Sequence, residues 1–170
     1  MKKYLIILAA ALMVIGCHRK PAQQEKPTAN SQELTAENMY IDFTAVTPEG
    51  EEMSLSDLVG KTDFVLVDFW ASWCGPCRRL IPVLKEIYMG QPEGRLQILS
   101  CSIDRDDIAW RSALGEELMP WPQVRQDEDH NCSDLYDVQF IPHTVLINRE
   151  GRIVGVNLEE PEIEEILFNE

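Results

Sequence analysis

Two cysteines, Cys74 and Cys77, stand between an apolar stretch and an amphipathic stretch, and this order limits the folds open to the chain. Residues 64–67 are all apolar, as in a buried strand, and residues 80–88 place apolar side chains at helical spacing. The order predicts a strand, a tight turn and a helix, with both thiols where the helix begins. Unpaired backbone N–H groups and the positive end of the helix dipole favour a thiolate at that point.

The Cys-Gly-Pro-Cys spacing is compatible with two kinds of chemistry. Thiols at this spacing can close a short disulfide and reopen it through a mixed disulfide with another protein. Metal binding is the alternative, but it normally needs a second pair of Cys or His residues. We therefore interpret Cys74 and Cys77 as a redox pair.

The N-terminus predicts export. Lys2 and Lys3 precede an apolar run of roughly a dozen residues, which matches a secretory signal. That run is shorter than the about 20 apolar residues that a membrane-spanning helix needs. Residues 14–17, Val-Ile-Gly-Cys, resemble the lipobox of bacterial lipoproteins. The resemblance implies a signal peptide over residues 1–16 and a lipidated Cys17; the alternative is an ordinary secretory signal in which this cysteine occurs by chance.

The next segment differs in composition from the rest of the chain. Residues 17–38 are rich in Gln, Glu, Lys, Pro, Ala and Asn, and such a segment buries too little apolar surface to fold. We predict that it is a flexible tether and that residues 39–170 form one domain. A net charge of −14 without a basic stripe argues against a nucleic-acid partner.

Strand and helix patterns alternate through this domain. The predicted elements are strands at 40–46 and 51–55, a helical turn at 56–60, a strand at 63–69, a helix at 76–89, a strand at 95–103, a helix that begins within 104–107, a short extended segment within 120–124, a short helix at 132–138, a hairpin of 144–148 and 152–156, and a helix at 161–168. This pattern is typical of an α/β fold with a central mixed sheet flanked by helices.

Asp68 is the exception within the apolar strand at 63–69. A carboxylate buried in such a strand needs a partner or a raised pKa. The alternative is an aspartate at the end of the strand that faces water.

Residues 67–77, Val-Asp-Phe-Trp-Ala-Ser-Trp-Cys-Gly-Pro-Cys, resemble the active-site signature of thioredoxins, and Ile141-Pro142 resembles their cis-proline loop. The N-terminal hairpin and the insertion around Trp110 are similar to the membrane-anchored TlpA/ResA-like branch. The resemblance spans almost all of the predicted domain. It implies a thioredoxin fold with an N-terminal β-hairpin extension and a helical insertion.

The resemblance also implies roles for the site residues. An exposed Cys74 would attack a substrate disulfide as a thiolate, and a more buried Cys77 would resolve the mixed disulfide. Asp68 would lie beneath Cys77 and move its proton as a general base. Pro142 would follow a cis peptide bond, and the backbone of Ile141 would pair with the substrate chain.

Further residues of the signature complete the implied substrate surface, namely Trp73, Gly75 and Pro76. Arg78 and Arg79 would favour the Cys74 thiolate, although exposed charges on a helix usually do little. His143 stands where thioredoxins often carry Thr. It either tunes the dithiol, binds a metal with it, or is a bystander.

Cys101 and Cys132 allow two interpretations. They would close a loop of about 31 residues as a second disulfide, which is worth about 3 kcal/mol in the chain-entropy model. The alternative is that each is a small core residue.

The resemblance implies a thiol–disulfide oxidoreductase, and the Gly-Pro pair between the cysteines favours a reductase. We expect a monomer that needs no cofactor or metal and is tethered by lipid to a bacterial membrane, facing the periplasm or the cell exterior. Its substrates would be exported proteins with disulfides, such as apocytochrome c, and its electrons would come from a membrane donor.

Two other functions are alternatives to an oxidoreductase. A copper carrier would use Cys74, Cys77 and His143 as soft ligands, but carriers of this fold usually space their thiols by three residues. A peroxiredoxin-like peroxidase would need Pro seven residues before its reactive cysteine, where this chain has Val67.

Overall fold

A computed structural model of the chain describes residues 38–169. The strands are β1 (Thr44–Val46), β2 (Glu52–Ser54), β3 (Phe64–Trp70), β4 (Leu96–Ser102), β5 (Gln123–Arg125), β6 (His143–Asn148) and β7 (Ile153–Val156). The helices are α1 (Gly75–Gly90), α2 (Asp107–Glu117), α3 (Cys132–Leu135) and α4 (Glu160–Asn169), with a 3₁₀ turn at Leu55–Asp57. The predicted signal peptide, Cys17 and all but the last residue of the predicted tether lie outside the described residues.

The seven strands form one mixed sheet in the order β2-β1-β5-β4-β3-β6-β7. β3 lies in the middle of the sheet, parallel to β4 and antiparallel to β6, and all seven of its residues are buried. The β1–β2 hairpin extends the sheet beyond β5. The predicted mixed sheet and its N-terminal hairpin extension are therefore confirmed.

Side chains of β3 alternate between the two faces of the sheet. Val65, Val67 and Phe69 pack into a core with the N-terminal hairpin. Phe64 and Leu66 pack into a second core with α1 and α4. Asp68 has the same parity as Leu66, so it lies on the face of the sheet that α1 covers.

One helix boundary agrees with the sequence prediction and another differs from it. Asp106 caps α2 by accepting the backbone N–H groups of Ile108 and Ala109, at 2.9 and 3.3 Å, so the helix begins at Asp107. α3 ends at Leu135, before the predicted 138, because Asp137 has a φ of 48° that an α-helix cannot contain. Among the described residues, no helix is long and apolar enough to cross a bilayer.

Candidate active site

The two cysteines lie where α1 begins. Cys74 is the N-cap of α1, and its Sγ accepts the backbone N–H of Cys77 at 3.2 Å. Pro76 fits the first turn because its missing N–H would have no helical partner there. Cys74 and Cys77 are joined by a disulfide. The structure thus describes the oxidised form of the predicted redox pair.

Both sulfur-bearing residues are buried in this form. Cys74 is 4% exposed and Cys77 1%, in a cluster with Trp110 of α2 and with Ile141 packed against it. This differs from the exposed Cys74 that the thioredoxin resemblance implies. Trp73 does not supply the cover, since it is 67% exposed.

The loop before β6 completes the surroundings of the dithiol. The peptide bond between Ile141 and Pro142 is cis, as the resemblance implies. Proline has no N–H, so the backbone of Pro142 can accept a hydrogen bond but cannot donate one. Phe140, which is 63% exposed, directly precedes Ile141, and Trp73, which is 67% exposed, directly precedes Cys74.

Asp68 is a buried acid on the same face of the sheet as α1. It is 2% exposed, and burial raises its pKa to about 7, while a hydrogen bond from Ser100 acts in the opposite direction. The Ser100 hydroxyl lies 3.0 Å from Oδ2, and Oδ1 is buried without a hydrogen-bond partner among the described residues. A carboxyl group with such a pKa can take or give a proton near neutral pH.

Asp104 is a second buried acid, and it anchors the turn that carries the dithiol. Its Oδ2 accepts the backbone N–H of Ser72 at 2.8 Å, and its Oδ1 accepts the Ser72 hydroxyl at 2.7 Å. The hydroxyl of Ser102 also donates to Oδ2, at 2.7 Å. Ser72 lies two residues before Cys74, so these bonds fix the backbone that leads into the active site. Sequence reasoning missed this contact; the serines at alternate positions of an apolar strand were the available signal.

Comparisons with known proteins agree with this geometry. Residues 27–167 match the model of the Redoxin family. The chain belongs to the redoxin family. This redoxin is 28% identical to thiol-disulfide oxidoreductase ResA of Bacillus subtilis over 91% of its own length and 85% of that protein. It is 32% identical to the protein of the same name from Oceanobacillus iheyensis, over 88% and 74% of the two chains.

Solved structures show the same fold. The thioredoxin domain of a thiol-disulfide oxidoreductase from Bacteroides vulgatus superposes with a TM-score of 0.66 at 30% identity. The match covers 76% of this redoxin and 96% of that chain. The fold predicted from the thioredoxin resemblance is therefore confirmed.

His143 of this redoxin is held as a neutral ring. Oδ1 of Asn157 accepts the backbone N–H of Thr144 at 2.9 Å, so the Asn157 amide N–H₂ faces Nδ1 of His143, 3.2 Å away. Nδ1 then accepts, and the proton of the neutral ring is on Nε2. Burial lowers the pKa of His143, against a smaller opposing effect of Asp137, and the ring packs against Phe69 and Phe140.

The alternative copper site would use Cys74, Cys77 and His143. Within residues 38–169 of the disulfide form, no three His, Cys, Asp or Glu side chains come together as a metal-binding group. Nδ1 of His143, the third ligand considered for copper, lies 3.2 Å from the amide nitrogen of Asn157.

Arg78 directs its charge away from the dithiol. Its guanidinium donates to Glu117 and Glu116 of α2, both at 2.6 Å, and these two carboxylates raise its pKa. The arrangement ties the first turn of α1 to the end of α2. Arg79 has a guanidinium nitrogen 3.6 Å from the position that a Cβ on Gly75 would occupy, so it lies closer to the turn.

Cys101 and Cys132 are free, buried thiols in the core on the other face of the sheet. Burial and the neighbouring Cys132 thiol both raise the pKa of Cys101, so the Cys101 thiol is not prepared for nucleophilic attack. Their bridging in the oxidised protein stays a prediction.

Proposed function

We propose that this redoxin is a thiol–disulfide oxidoreductase that works through exchange at Cys74 and Cys77. The observation that carries the proposal is the Cys74–Cys77 disulfide at the start of α1, beside the cis Ile141–Pro142 bond. Its relatives from Bacillus subtilis and Oceanobacillus iheyensis are named for the same activity.

The reduction of a substrate proceeds in two displacements. The Cys74 thiolate attacks one sulfur of the substrate disulfide, and the other substrate sulfur leaves as a thiolate and takes a proton. Cys77 then attacks Sγ of Cys74, and the second substrate sulfur leaves. The substrate gains two electrons and two protons, and the protein is left with the Cys74–Cys77 disulfide. A donor dithiol returns the two electrons for the next cycle.

Asp68 serves the second displacement as general base. The Cys77 thiol must lose its proton before it attacks, and the ordinary pKa of a thiol, about 8.5, lies above neutral pH. A carboxylate whose pKa is about 7 can take that proton, through one water, and release it afterwards. The base is available in the folded protein because burial has brought its pKa into this range.

The substrate surface lies around the dithiol. We assign it to Trp73, Gly75 and Pro76 at the helix start and to Ile141 and Pro142 in the cis-proline loop. The backbone of Ile141 would pair with an extended substrate segment, and the exposed ring of Trp73 would cover apolar side chains. Such a surface would bind the substrate mainly through the backbone around its cysteine, so binding would depend little on the sequence of the substrate.

The physiological setting follows from the N-terminus. We infer that residues 1–16 are a signal peptide, that Cys17 is lipidated, and that residues 17–38 tether the domain of residues 39–170 to a bacterial membrane. The substrates would then be exported cysteine proteins such as apocytochrome c, and the electrons would come from a membrane partner. The Gly-Pro pair between the cysteines supports reduction as the direction of flow.

The proposed function can be tested by trapping the mixed disulfide between Cys74 and a substrate. Replacing Cys77 by Ala removes the resolving thiol, so a covalent adduct on Cys74 should accumulate and should be released by dithiothreitol. The matched control is Cys132→Ala, which removes a cysteine of the other core and should trap nothing. Insulin reduction by the wild-type domain measures the same chemistry independently. If the Cys77→Ala protein forms no adduct on Cys74 and the wild type does not reduce insulin, the proposal is wrong.

A further inference from the structure

Three buried polar side chains form a hydrogen-bonded chain beneath α1. The indole N–H of Trp121 donates to Oγ of Ser100 at 2.9 Å, and the Ser100 hydroxyl lies 3.0 Å from Oδ2 of Asp68. All three residues are buried. Bulk water therefore competes little for these groups, and the low local dielectric strengthens each hydrogen bond.

The chemistry of the donors determines the direction of the hydrogen bonds from Trp121 through Ser100 to Asp68. An indole nitrogen can only donate, so it occupies a lone pair of the Ser100 oxygen and leaves the hydroxyl proton for another acceptor. Two acceptors lie near, namely Oδ2 of Asp68 and the sulfur of Met119 at 3.9 Å. A thioether is a weak acceptor and a carboxylate a strong one, so the proton points to Asp68.

The fold holds both ends of the chain in place. Ser100 stands directly opposite Asp68 in the parallel pairing of β4 with β3. The backbone N–H of Ser100 donates to the carbonyl of Pro122, next to Trp121, at 3.2 Å. The Trp121 ring meets Tyr88 of α1 edge-on at 5.4 Å. The hydroxyl is thus positioned relative to both the sheet and the helix that carries Cys77.

The two oxygens of Asp68 are consequently unequal. Oδ2 accepts from Ser100, whereas Oδ1 has no partner among the described residues. We propose that Ser100, oriented by Trp121, is a positioning residue that holds Oδ2 of Asp68 and leaves Oδ1 to exchange the proton of Cys77. The inference rests on the proposed function, because it deepens the role of Asp68 in the second displacement.

The other groups around Asp68 do not supply a competing titration. Cys77 of α1 is the thiol served, and Cys101 of β4 points to the opposite face, with a pKa that Asp68 itself helps to raise. Thr144 of β6, opposite Asp68 in the sheet, and Met119 do not titrate. The pKa of Asp68 shifts through burial and the Ser100 hydrogen bond.

The decisive variant is Ser100→Ala, tested in the reduced protein. Loss of a hydrogen bond to a carboxylate destabilises its charged form, so the titration midpoint of Asp68 should rise by about one pH unit. Carboxyl carbon chemical shifts in protein labelled at aspartate measure this midpoint directly. At pH 6, resolution of a mixed disulfide on Cys74 should slow about tenfold, because the deprotonated fraction of Asp68 falls by that factor.

Two further variants separate positioning from packing. Ser100→Thr keeps the hydroxyl and should restore the wild-type midpoint. The matched control is Ser102→Ala on the same strand, which removes a buried hydroxyl bonded to Asp104 and should leave the Asp68 midpoint unchanged. An unchanged midpoint in Ser100→Ala overturns the inference, as does an equal shift in Ser102→Ala.

If Ser100→Ala does not fold, Trp121→Phe is the variant to test. It keeps an aromatic ring but removes the N–H donor that orients the Ser100 hydroxyl. The titration midpoint of Asp68 should therefore rise, but by less than the one pH unit expected for loss of the hydroxyl itself. No upward shift would contradict the role of Trp121. Asp68→Asn tests the proposed role of Asp68 as general base separately. If this variant resolves the mixed disulfide at the wild-type rate, Asp68 is not the base, whatever titration midpoint is measured in Ser100→Ala.

Discussion

Asp68 and Asp104 are both 2% exposed, yet their hydrogen-bond partners differ completely. Asp104 accepts three hydrogen bonds through its two oxygens, from the Ser72 backbone, the Ser72 hydroxyl and the Ser102 hydroxyl. Asp68 accepts one, and its second oxygen has no partner among residues 38–169. A saturated carboxylate holds its neighbours in place, whereas an undersatisfied one keeps a site free for a proton.

The difference distinguishes Asp104, a carboxylate that holds the structure together, from Asp68, a carboxyl group suited to proton transfer. Asp104 stabilises the turn that presents Cys74, and its bonds are all formed in the resting protein. Asp68 is held in an environment that disfavours its charge, and carboxyl groups with such raised pKa values are more frequent at functional sites. Isosteric Asp-to-Asn changes at the two positions should therefore have different effects.

The largest effect is expected from Asp68→Asn on the rate of the second displacement. Asparagine keeps the shape of the side chain but cannot accept the Cys77 proton, so resolution at pH 7 should slow about a thousandfold. Stopped-flow fluorescence with a preformed mixed disulfide on Cys74 measures this step. At about pH 4, where the Asp68 carboxyl group keeps its proton in the folded protein, the free energy of unfolding should change by less than about 1 kcal/mol, since no saturated network is lost. A wild-type rate would make Asp68 a structural residue like Asp104.

The second largest effect is expected in the pH dependence of the free energy of unfolding, which should reflect the titration of Asp68. The pKa of Asp68 is about 7 in the folded protein, above its ordinary value of 3.8, so from about pH 4 to 7 the folded state keeps a proton that the unfolded chain loses. The contribution of Asp68 to stability is therefore fully present below pH 4 and is lost as the pH rises through 7, by roughly 4 kcal/mol in this window.

Denaturant titrations of the wild type and Asp68→Asn at several pH values isolate this contribution, because the other titrating groups cancel in the difference. Asp104→Asn is the control and should retain the fall. If the difference between wild type and Asp68→Asn is flat with pH, the carboxyl group titrates as it does in the unfolded chain.

A smaller effect is expected from Asp104→Asn, and it should appear in stability first. The amide nitrogen cannot accept, so at least one buried donor of Ser72 or Ser102 loses its partner, at a cost of about 2 kcal/mol. Guanidinium unfolding measures the loss. Turnover should fall less than in Asp68→Asn, and the pH at half-maximal rate should stay at the wild-type value. A shifted pH profile would show that Asp104 also moves protons.

The smallest effect is expected from Arg78→Ala. Its ion pairs with Glu116 and Glu117 are partly open to solvent, so their loss should cost about 0.5 kcal/mol. The rate of Cys74 attack should change by less than about twofold, because the guanidinium charge is already neutralised. Measured alkylation of reduced Cys74 by iodoacetamide gives this rate. A large loss would restore Arg78 as a residue that activates the thiolate, with Arg79→Ala as the matched comparison.

Much of the fold was readable from local patterns. The apolar run of β3, the helical spacing after Cys77 and the hairpin patterns depend on neighbours in sequence, so they predicted β3, α1 and the β6–β7 hairpin closely. The helix at 132–138 was too long because the left-handed backbone of Asp137 carries no strong sequence signal. β5 is only three residues long, and the extended segment predicted within 120–124 includes only its first two residues.

The candidate site divides in the same way. Cys74, Cys77, Asp68 and Pro142 stand in short motifs that recur together, and these motifs were recognisable. Ser100, Trp121 and Asp104 were missed because each acts on a residue about 20 to 30 positions away, through pairings between strands and loops that no local pattern records. The burial of Cys74 likewise depends on Trp110, which comes from a different helix.

The sequence by itself determined a dithiol at a helix start, an acid inside an apolar strand and a proline before another strand, because spacing and hydrophobic alternation are properties of the chain. Only the tertiary structure decided which acid anchors the turn and which one remains short of hydrogen bonds. That distinction arises from the register of β3 with β4 and from the loop that brings Trp121 to Ser100. The proton chemistry of the site is therefore a property of the packed sheet.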